Sequence, residues 1–276
     1  MSTKITEFII YPKQLLSCVY TNLNINNKVD DMQWEKNQFG GVVIEPESLS
    51  LDDKSFYSVL KNNIDTWKYD SVKLVWLQIN KEFYSKIQIA SQFGFLMHHA
   101  SPNYVMMTLA IEIDTFIPPY STHYIGVGGV VVNDLNEILV VSEKYRSSAN
   151  PSYKLPGGAL VQGEHISQAA VREVFEETGI NTEFKKLSFF RHWHGYRYGK
   201  SDIYFVVLLK PLNHEIIKQE EEIAECVWMA VDKFLNDPDI HDFNKHIVRS
   251  ALNSNGLHIT DIPGYGSEKM FEFFTS

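Results

Sequence analysis

GGALVQGEHISQAAVREVFEETGI, residues 157–180, decides the fold. It places Glu173, Glu176 and Glu177 beside Arg172 on a segment that is otherwise largely small or apolar. On a helix at about 100° per residue, Ser167 to Thr178 puts Val171, Val174, Phe175 and Thr178 on one side and the three glutamates on another. No lysine stands four residues after any of these glutamates, so the helix itself leaves their repulsion uncompensated. A solvated face is the ordinary reading of such charge. The alternative is a cation site: Mg²⁺ takes one or two carboxylates at a time and completes its octahedron with water. Arg172 and Glu164 form an oppositely charged pair that would bridge the helix to the loop before it. Gly157, Gly158 and Gly163 permit tight turns and close backbone approach, and Gly179 is a natural helix stop.

The rest of the chain limits what such a site serves. At 276 residues it is long enough for one or two domains with real cores. Hydrophobic residues make up 44% and charged residues 21%, an ordinary globular composition. The formal charge of -9, with a pI near 5.6, argues against nucleic acid and anionic membrane as partners. A phosphate-bearing substrate then needs a local device such as a bound cation. Two cysteines, Cys18 and Cys226, are too few for a disulfide framework and fit a reducing compartment. The N-terminus makes a poor signal peptide, and the longest apolar runs are strand-sized. A cytoplasmic location is the expectation.

Along the chain, Thr21 to Gln38 is irregular and polar. Phe56, Val59, Leu60, Ile64 and Trp67 have helical spacing, Lys73 to Ile79 is a strand, and Lys81 to Ile89 suits a second helix. FGFLMHH and YVMMTLAIEI are two strands joined at Ser101-Pro102-Asn103. Pro118 and Pro119 mark a boundary between a small α/β domain, 1–117, and a second domain, 120–255, with a tail at 256–276. In the second domain Gly126 to Val132 and Glu137 to Val141 predict a hairpin. Strands follow the acidic helix at Phe184 to Arg191 and Asp202 to Leu209, and a last helix spans His241 to Leu252.

The spacing Gly158, Glu164, Arg172-Glu173-Val174, Glu176-Glu177, Gly179-Ile180 resembles the Nudix hydrolase signature at every defined position. The resemblance implies a Nudix fold, an α/β (α+β) arrangement with a mixed β-sheet between helices, here preceded by the small α/β domain. It implies Mg²⁺- or Mn²⁺-dependent hydrolysis of a nucleoside diphosphate joined to another group. By position, Glu173 and Glu177 would be direct metal ligands, Glu176 direct or through water, and the Gly157 carbonyl a further ligand. Glu164 and Arg172 would support that frame. GFLMHHASPNYVMMTLAIE, HYIGVGGVVVN and YGKSDIYFVVLLKP add a narrower resemblance, to a eukaryotic Nudix subfamily with a pre-Nudix domain that includes the antisense product of basic fibroblast growth factor and several plant enzymes. That subfamily implies ADP-ribose or NADH as substrate, and a homodimer is in keeping with the family. The tag SQPWPFP of NADH-specific members is absent and Gly195-Tyr196 stand where some classes carry their markers, which keeps dinucleoside polyphosphates and nucleoside triphosphates open.

The family's general base is either a glutamate of the motif or one on a distant loop. KQEEEIAECVW offers Glu220, Glu221, Glu222 and Glu225, of which Glu222 is the preferred candidate. For substrate contact, Trp193, Tyr196 and Tyr198 in RHWHGYRYGK suit stacking, and Arg191, Arg197 and Lys200 suit phosphate. Gly199-Lys200-Ser201 is not a phosphate loop, since His194 holds the place of its first glycine, and Gly126-Val127-Gly128-Gly129 is a packing feature rather than a dinucleotide fingerprint. His192 and His194, like His98 and His99, lack a third ligand at zinc spacing and are ordinary polar histidines. The N-terminal unit lacks the glycine-rich loop of an acyltransferase, and a ligand-sensing or partner-binding role for the second domain is the competing class.

Overall fold

A computed structural model describes residues 32–145, 152–264 and 270–276. Cys18 and the stretch of the irregular segment up to residue 31 lie outside them. The chain divides into two compact units, Met1–Tyr120 and Ser121–Ser276.

Among its described residues the first unit is a five-stranded sheet with two α-helices. Its elements are β1 (Trp34–Lys36), β2 (Val42–Ile44), α1 (Asp53–Tyr69), β3 (Leu74–Asn80), α2 (Ser85–Gln92), β4 (Leu96–Ser101) and β5 (Tyr104–Ala110), with strand order β1-β2-β3-β5-β4. The Asp52 side chain accepts from the amides of Lys54 and Ser55 and starts α1. Phe56, Leu60, Ile64 and Trp67 then fall on one buried stripe against Val75, Leu77 and Ile79 of β3. The turn between β4 and β5 lies at Pro102-Asn103.

The second unit holds β6 (His123–Val131), β7 (Glu137–Glu143), β8 (Gly157–Ala159), α3 (Ile166–Thr178), β9 (Thr182–Trp193), β10 (Ser201–Pro211), β11 (Ile223–Ala230), α4 (Val231–Asn236), α5 (Asp242–Asn253), β12 (His258–Ile259) and β13 (Phe274–Thr275). A four-stranded mixed sheet runs β8-β6-β10-β9, with β6 and β10 parallel and the other pairs antiparallel. On one face Val127, Val131, Val207 and Leu209 pack on Ala169, Ala170 and Val174 of α3. On the other, Val130 and Val206 pack with Phe234 of α4 and Ile247, Val248 and Ala251 of α5. The mixed sheet therefore lies between helices, as expected.

The expected hairpin of Gly126 to Val132 with Glu137 to Val141 is corrected. Both edges of β6 are already taken, by β10 along its length and by β8 at Gly126–Gly128. Beyond one bridge between Val132 and Ile138, β7 turns away and pairs with β11 in a separate two-stranded sheet. The acidic run taken as a loop thus feeds directly into β11, and residues 256–276, taken as a tail, contribute the paired strands β12 and β13.

Lys86 of α2 is buried and gives its ammonium to the Leu51 carbonyl at 2.6 Å and to Asp53 Oδ1 at 2.7 Å. Because its loss leaves a buried carbonyl unsatisfied, Lys86→Ala should destabilise the first unit by roughly 1–3 kcal/mol, and the exposed partner's change Asp53→Asn by less, in urea unfolding.

Candidate active site

Gly157 of β8 sets how closely that strand approaches β6, and Gly158 how closely the acidic helix approaches the strand. Gly157 has φ of 152°, and a Cβ there would stand 2.2 Å from the Val127 carbonyl oxygen. A Cβ on Gly158 would meet the Glu173 carboxylate at 2.6 Å. With both side chains absent, α3 lays its carboxylates directly against strand backbone. The helix starts where the His165 amide donates to Gln168 Oε1 at 3.4 Å and stops at Gly179, in the left-handed region with φ of 72°.

One guanidinium organises the charge. Arg172 donates from Nε to Glu164 Oε1 at 2.6 Å and from Nη2 to Glu164 Oε2 at 2.9 Å, a bidentate bridge from helix to loop. Its Nη1 reaches Glu173 Oε1 and Glu176 Oε2, both at 2.9 Å, and Nη2 reaches the Ala159 carbonyl at 3.2 Å. The view that the helix leaves its carboxylates uncompensated is therefore corrected: Arg172, four residues before Glu176, serves two of the three, Glu173 and Glu176, together with Glu164 of the loop. Arg172 holds Glu164 below the usual carboxylate range. Burial pushes Glu173 up, against the pull of Arg172.

Glu177 stands apart from that cluster. It is only 7% exposed, whereas Phe175, expected on the apolar side, is 50% exposed. The reason is angular: at about 100° per residue Glu177 lies about 20° from Ala170 around the helix, beside the residues that face the sheet. Its Oε2 accepts from the Gly157 amide at 3.1 Å. Burial raises its pKa to about 7, opposed by the charge of Lys154 and by the Gly157 hydrogen bond. Cys226 of β11, half-buried and beside Glu177, is pushed up to about 12 by desolvation and is no thiolate nucleophile near neutrality.

Glu177 opens onto a cleft of ≈ 250 Å³ that Glu143, Tyr145, Glu222 and Ile223 also line. This separates the glutamates of the acidic run. Glu222 shares the cleft with Glu177, whereas Glu220 pairs with Lys218 at 2.8 Å and Glu225 accepts from the Tyr153 hydroxyl at 2.6 Å. Glu220 and Glu221 border a second cleft of ≈ 430 Å³ with Phe175, Glu176 and Ile217. Lys154, not singled out in the sequence, pairs with Glu143 at the first cleft. Among the described residues, no three His, Cys, Asp or Glu side chains converge as a ready metal site. Arg172 explains this for the motif, because it draws Glu173 and Glu176 toward itself.

The residues considered for substrate contact divide in two. Arg191 is committed to the buried carboxylate of Asp202 and lies under the rings of Trp193, Tyr204 and Phe243, at 5.4, 5.5 and 5.6 Å from their centroids. Lys200 is held by the Ser121 carbonyl. Trp193 and Tyr196 make an edge-to-face pair at 5.7 Å that Tyr124 extends, and Arg197 sits over Tyr196. Tyr204 was missed. A Cβ on Gly128 would stand 2.1 Å from its hydroxyl and one on Gly126 3.0 Å from its ring, so these two glycines of β6 leave the space for this ring beside Arg191. The signal was present as glycines inside a strand, but the tyrosine that fills the space comes from β10, far along the chain. His123 brings its Nε2 to 2.9 Å from that of His192, while His194 turns Nδ1 to Ser201.

Comparison with known proteins agrees with this architecture. Residues 122–251 match the family model described as the NUDIX domain, and residues 32–111 match one described as the Nudix hydrolase domain. The chain is 39% identical over 206 residues to Nudix hydrolase 8 of Arabidopsis thaliana, covering 74% of this chain and 56% of that protein. It is 36% identical over 210 residues to Nudix hydrolase 2 of the same plant, covering 75% of each. To the nucleoside diphosphate-linked moiety X motif 6 of Homo sapiens it is 33% identical over 230 residues, covering 80% of this chain and 72% of that one. The aligned part thus spans little more than half of the first of these relatives. The chain belongs to the Nudix hydrolase family. No helix among the described residues is long and apolar enough to cross a membrane.

The raised pKa of Glu177 has a sign that can be measured. Between about 4.5 and about 7 the folded state holds a proton that the unfolded chain has released, so stability falls as pH rises through that window. In metal-free buffer with chelator, Glu177→Gln should therefore stabilise the fold by roughly 1–3 kcal/mol above pH 7 and by about nothing below pH 4.5. Denaturant titrations at the two pH values check both the size and the direction.

Proposed function

We propose that this protein is a Mg²⁺- or Mn²⁺-dependent hydrolase that cleaves the diphosphate linkage of a nucleoside diphosphate derivative, with ADP-ribose or NADH as the favoured substrate. The observation that carries the reading is the cleft shared by Glu177 and Glu222. A buried carboxylate raised by desolvation, with one backbone amide on it, is a group that gains from a divalent cation. Substrate phosphate oxygens and water would supply the remaining ligands, which suits a site where protein carboxylates do not converge by themselves. Glu177, Glu173 and the Gly157 carbonyl are the proposed ligands, with Glu176 at second rank and Glu164 and Arg172 as the frame. When bound, the cation neutralises the diphosphate and lowers the pKa of a coordinated water.

The protein's own part is to place and deprotonate that water. Glu222, which lines the cleft with Glu177, takes the proton as water attacks one phosphorus. The bond from that phosphorus to the bridging oxygen breaks, and the bridging oxygen leaves with the other phosphate. For ADP-ribose the products are AMP and a sugar phosphate. Trp193 and Tyr196 offer ring faces for a base, and Arg197 a charge beside them. With Arg191 bound to Asp202 and Lys200 to a backbone carbonyl, their proposed role narrows to shaping that surface.

Incubation with Mg²⁺ or Mn²⁺ and a panel of ADP-ribose, NADH, diadenosine polyphosphates and nucleoside triphosphates tests the reading. ADP-ribose or NADH should yield AMP, and loss of all turnover in EDTA should accompany it. Glu177→Gln should lower kcat by about a hundredfold or more. Glu222→Gln should lower kcat by about 10²-fold. Turnover of none of the panel would count against hydrolysis and toward a ligand-sensing role.

A further inference from the structure

Residues beyond 251 lie outside the NUDIX domain match, yet they are tied to the sheet and to the first turn of α3. Leu257 exchanges two backbone hydrogen bonds with Leu187 of β9, at 2.8 and 2.9 Å. The chain returns as β13, pairing with β12 through His258–Thr275 and Ile259–Phe274, and the Thr260 amide donates to the Phe273 carbonyl at 2.8 Å. The Phe274 ring lies 5.9 Å from that of Phe184 on β9. From this anchored segment Glu272 reaches α3: its Oε2 accepts from the Ser167 amide at 3.3 Å, and its Oε1 accepts from the Ser167 hydroxyl.

Ser167 sits in the opening turn of the helix, where amides have no partner within the helix. A carboxylate there satisfies one of them and complements the positive end of the helix dipole. Glu272 thus acts as a cap delivered from a distant segment, in addition to the cap inside the loop and the Arg172–Glu164 bridge.

We infer that Glu272 is a positioning residue for the acidic face of α3, and that the segment Met270–Ser276 works as a strap setting where the helix lies along the sheet. The geometry that depends on it is tight. Glu177 touches the Gly157 amide, and Glu173 lies against Gly158 with no room for a methyl group between. Displacement of reacting groups by about 1 Å lowers rates by about 10²-fold, so a strap far from the cleft has leverage on it. This inference rests on the reading that the α3 carboxylates hold a cation for diphosphate hydrolysis.

The test uses the full chain, wild type and the variants Glu272→Ala, Glu272→Gln and Ser167→Ala, with three readouts. These are amide hydrogen exchange over residues 166–169, Mn²⁺ affinity by titration of free Mn²⁺, and kcat and KM on the substrate turned over. Glu272→Ala should speed exchange of the Ser167 amide about tenfold, weaken Mn²⁺ binding about threefold or more, and lower kcat about tenfold with KM within about twofold. Its Tm should move by less than about 4 °C. Glu272→Gln, which keeps an acceptor, should recover most of each loss, and Ser167→Ala should fall between. Faster exchange with Mn²⁺ affinity and kcat unchanged would make the strap purely structural and overturn the inference, as would unchanged exchange. A wild type that binds Mn²⁺ but hydrolyses nothing sinks the functional reading alone, because exchange and Mn²⁺ affinity still decide this one. A wild type that does neither takes both down.

Discussion

Everything in the second unit is arranged around a crowded contact, in which an acidic helix lies against a strand of glycines. Repulsion among Glu164, Glu173 and Glu176 would drive loop, helix and strand apart if each had to find its own counter-charge. Arg172 serves all three and adds the Ala159 carbonyl of β8, so one side chain joins the three pieces that form the site. Its bidentate bridge to Glu164 has a geometry that lysine would not reproduce. The clamp leaves one carboxylate out. Glu177, on the same helix, is buried and makes no ion pair among the described residues, and its environment is the one that a divalent ion would relieve.

The sheet contributes by staying thin where the helix approaches. Glycines on β6 and β8 keep side chains out of the space between strand and carboxylate on one face and admit the Tyr204 ring on the other. The same economy of space explains why β7 leaves β6. With both edges of β6 occupied, β7 pairs with β11 instead, and that pairing carries Glu143 and Glu222 to the cleft that Glu177 lines. The cleft is thus a consequence of strand pairing as much as of the motif.

Local signals in the sequence were sufficient for the elements that depend on local physics. The spacing from Gly158 to Ile180 located α3 and its stop, the stripe from Phe56 to Trp67 located α1, and Glu164 was correctly paired with Arg172. What escaped was set by residues far apart in the chain. Helical periodicity placed Phe175 inside and Glu177 outside, because it counts hydrophobicity and cannot see that the sheet meets the helix at Ala170 and Val174. The acidic run hid β11 since its first strand residue, Ile223, follows three glutamates, and strand pairing with β7 is not a property of either segment alone. Tyr204 and Glu272 were unreadable for the same reason: each acts on a partner brought near only by the fold.

The central claim is that the face formed by Gly157, Glu173 and Glu177 is a divalent cation site acting on a diphosphate. Anomalous diffraction from crystals soaked with Mn²⁺ and a non-hydrolysable ADP-ribose analogue tests it most directly. The account predicts an anomalous peak within coordination distance of a Glu177 carboxylate oxygen, with the diphosphate of the analogue as its other neighbour. A peak placed elsewhere with Glu177 bare, or the analogue bound with no Mn²⁺ beside its diphosphate, would contradict it.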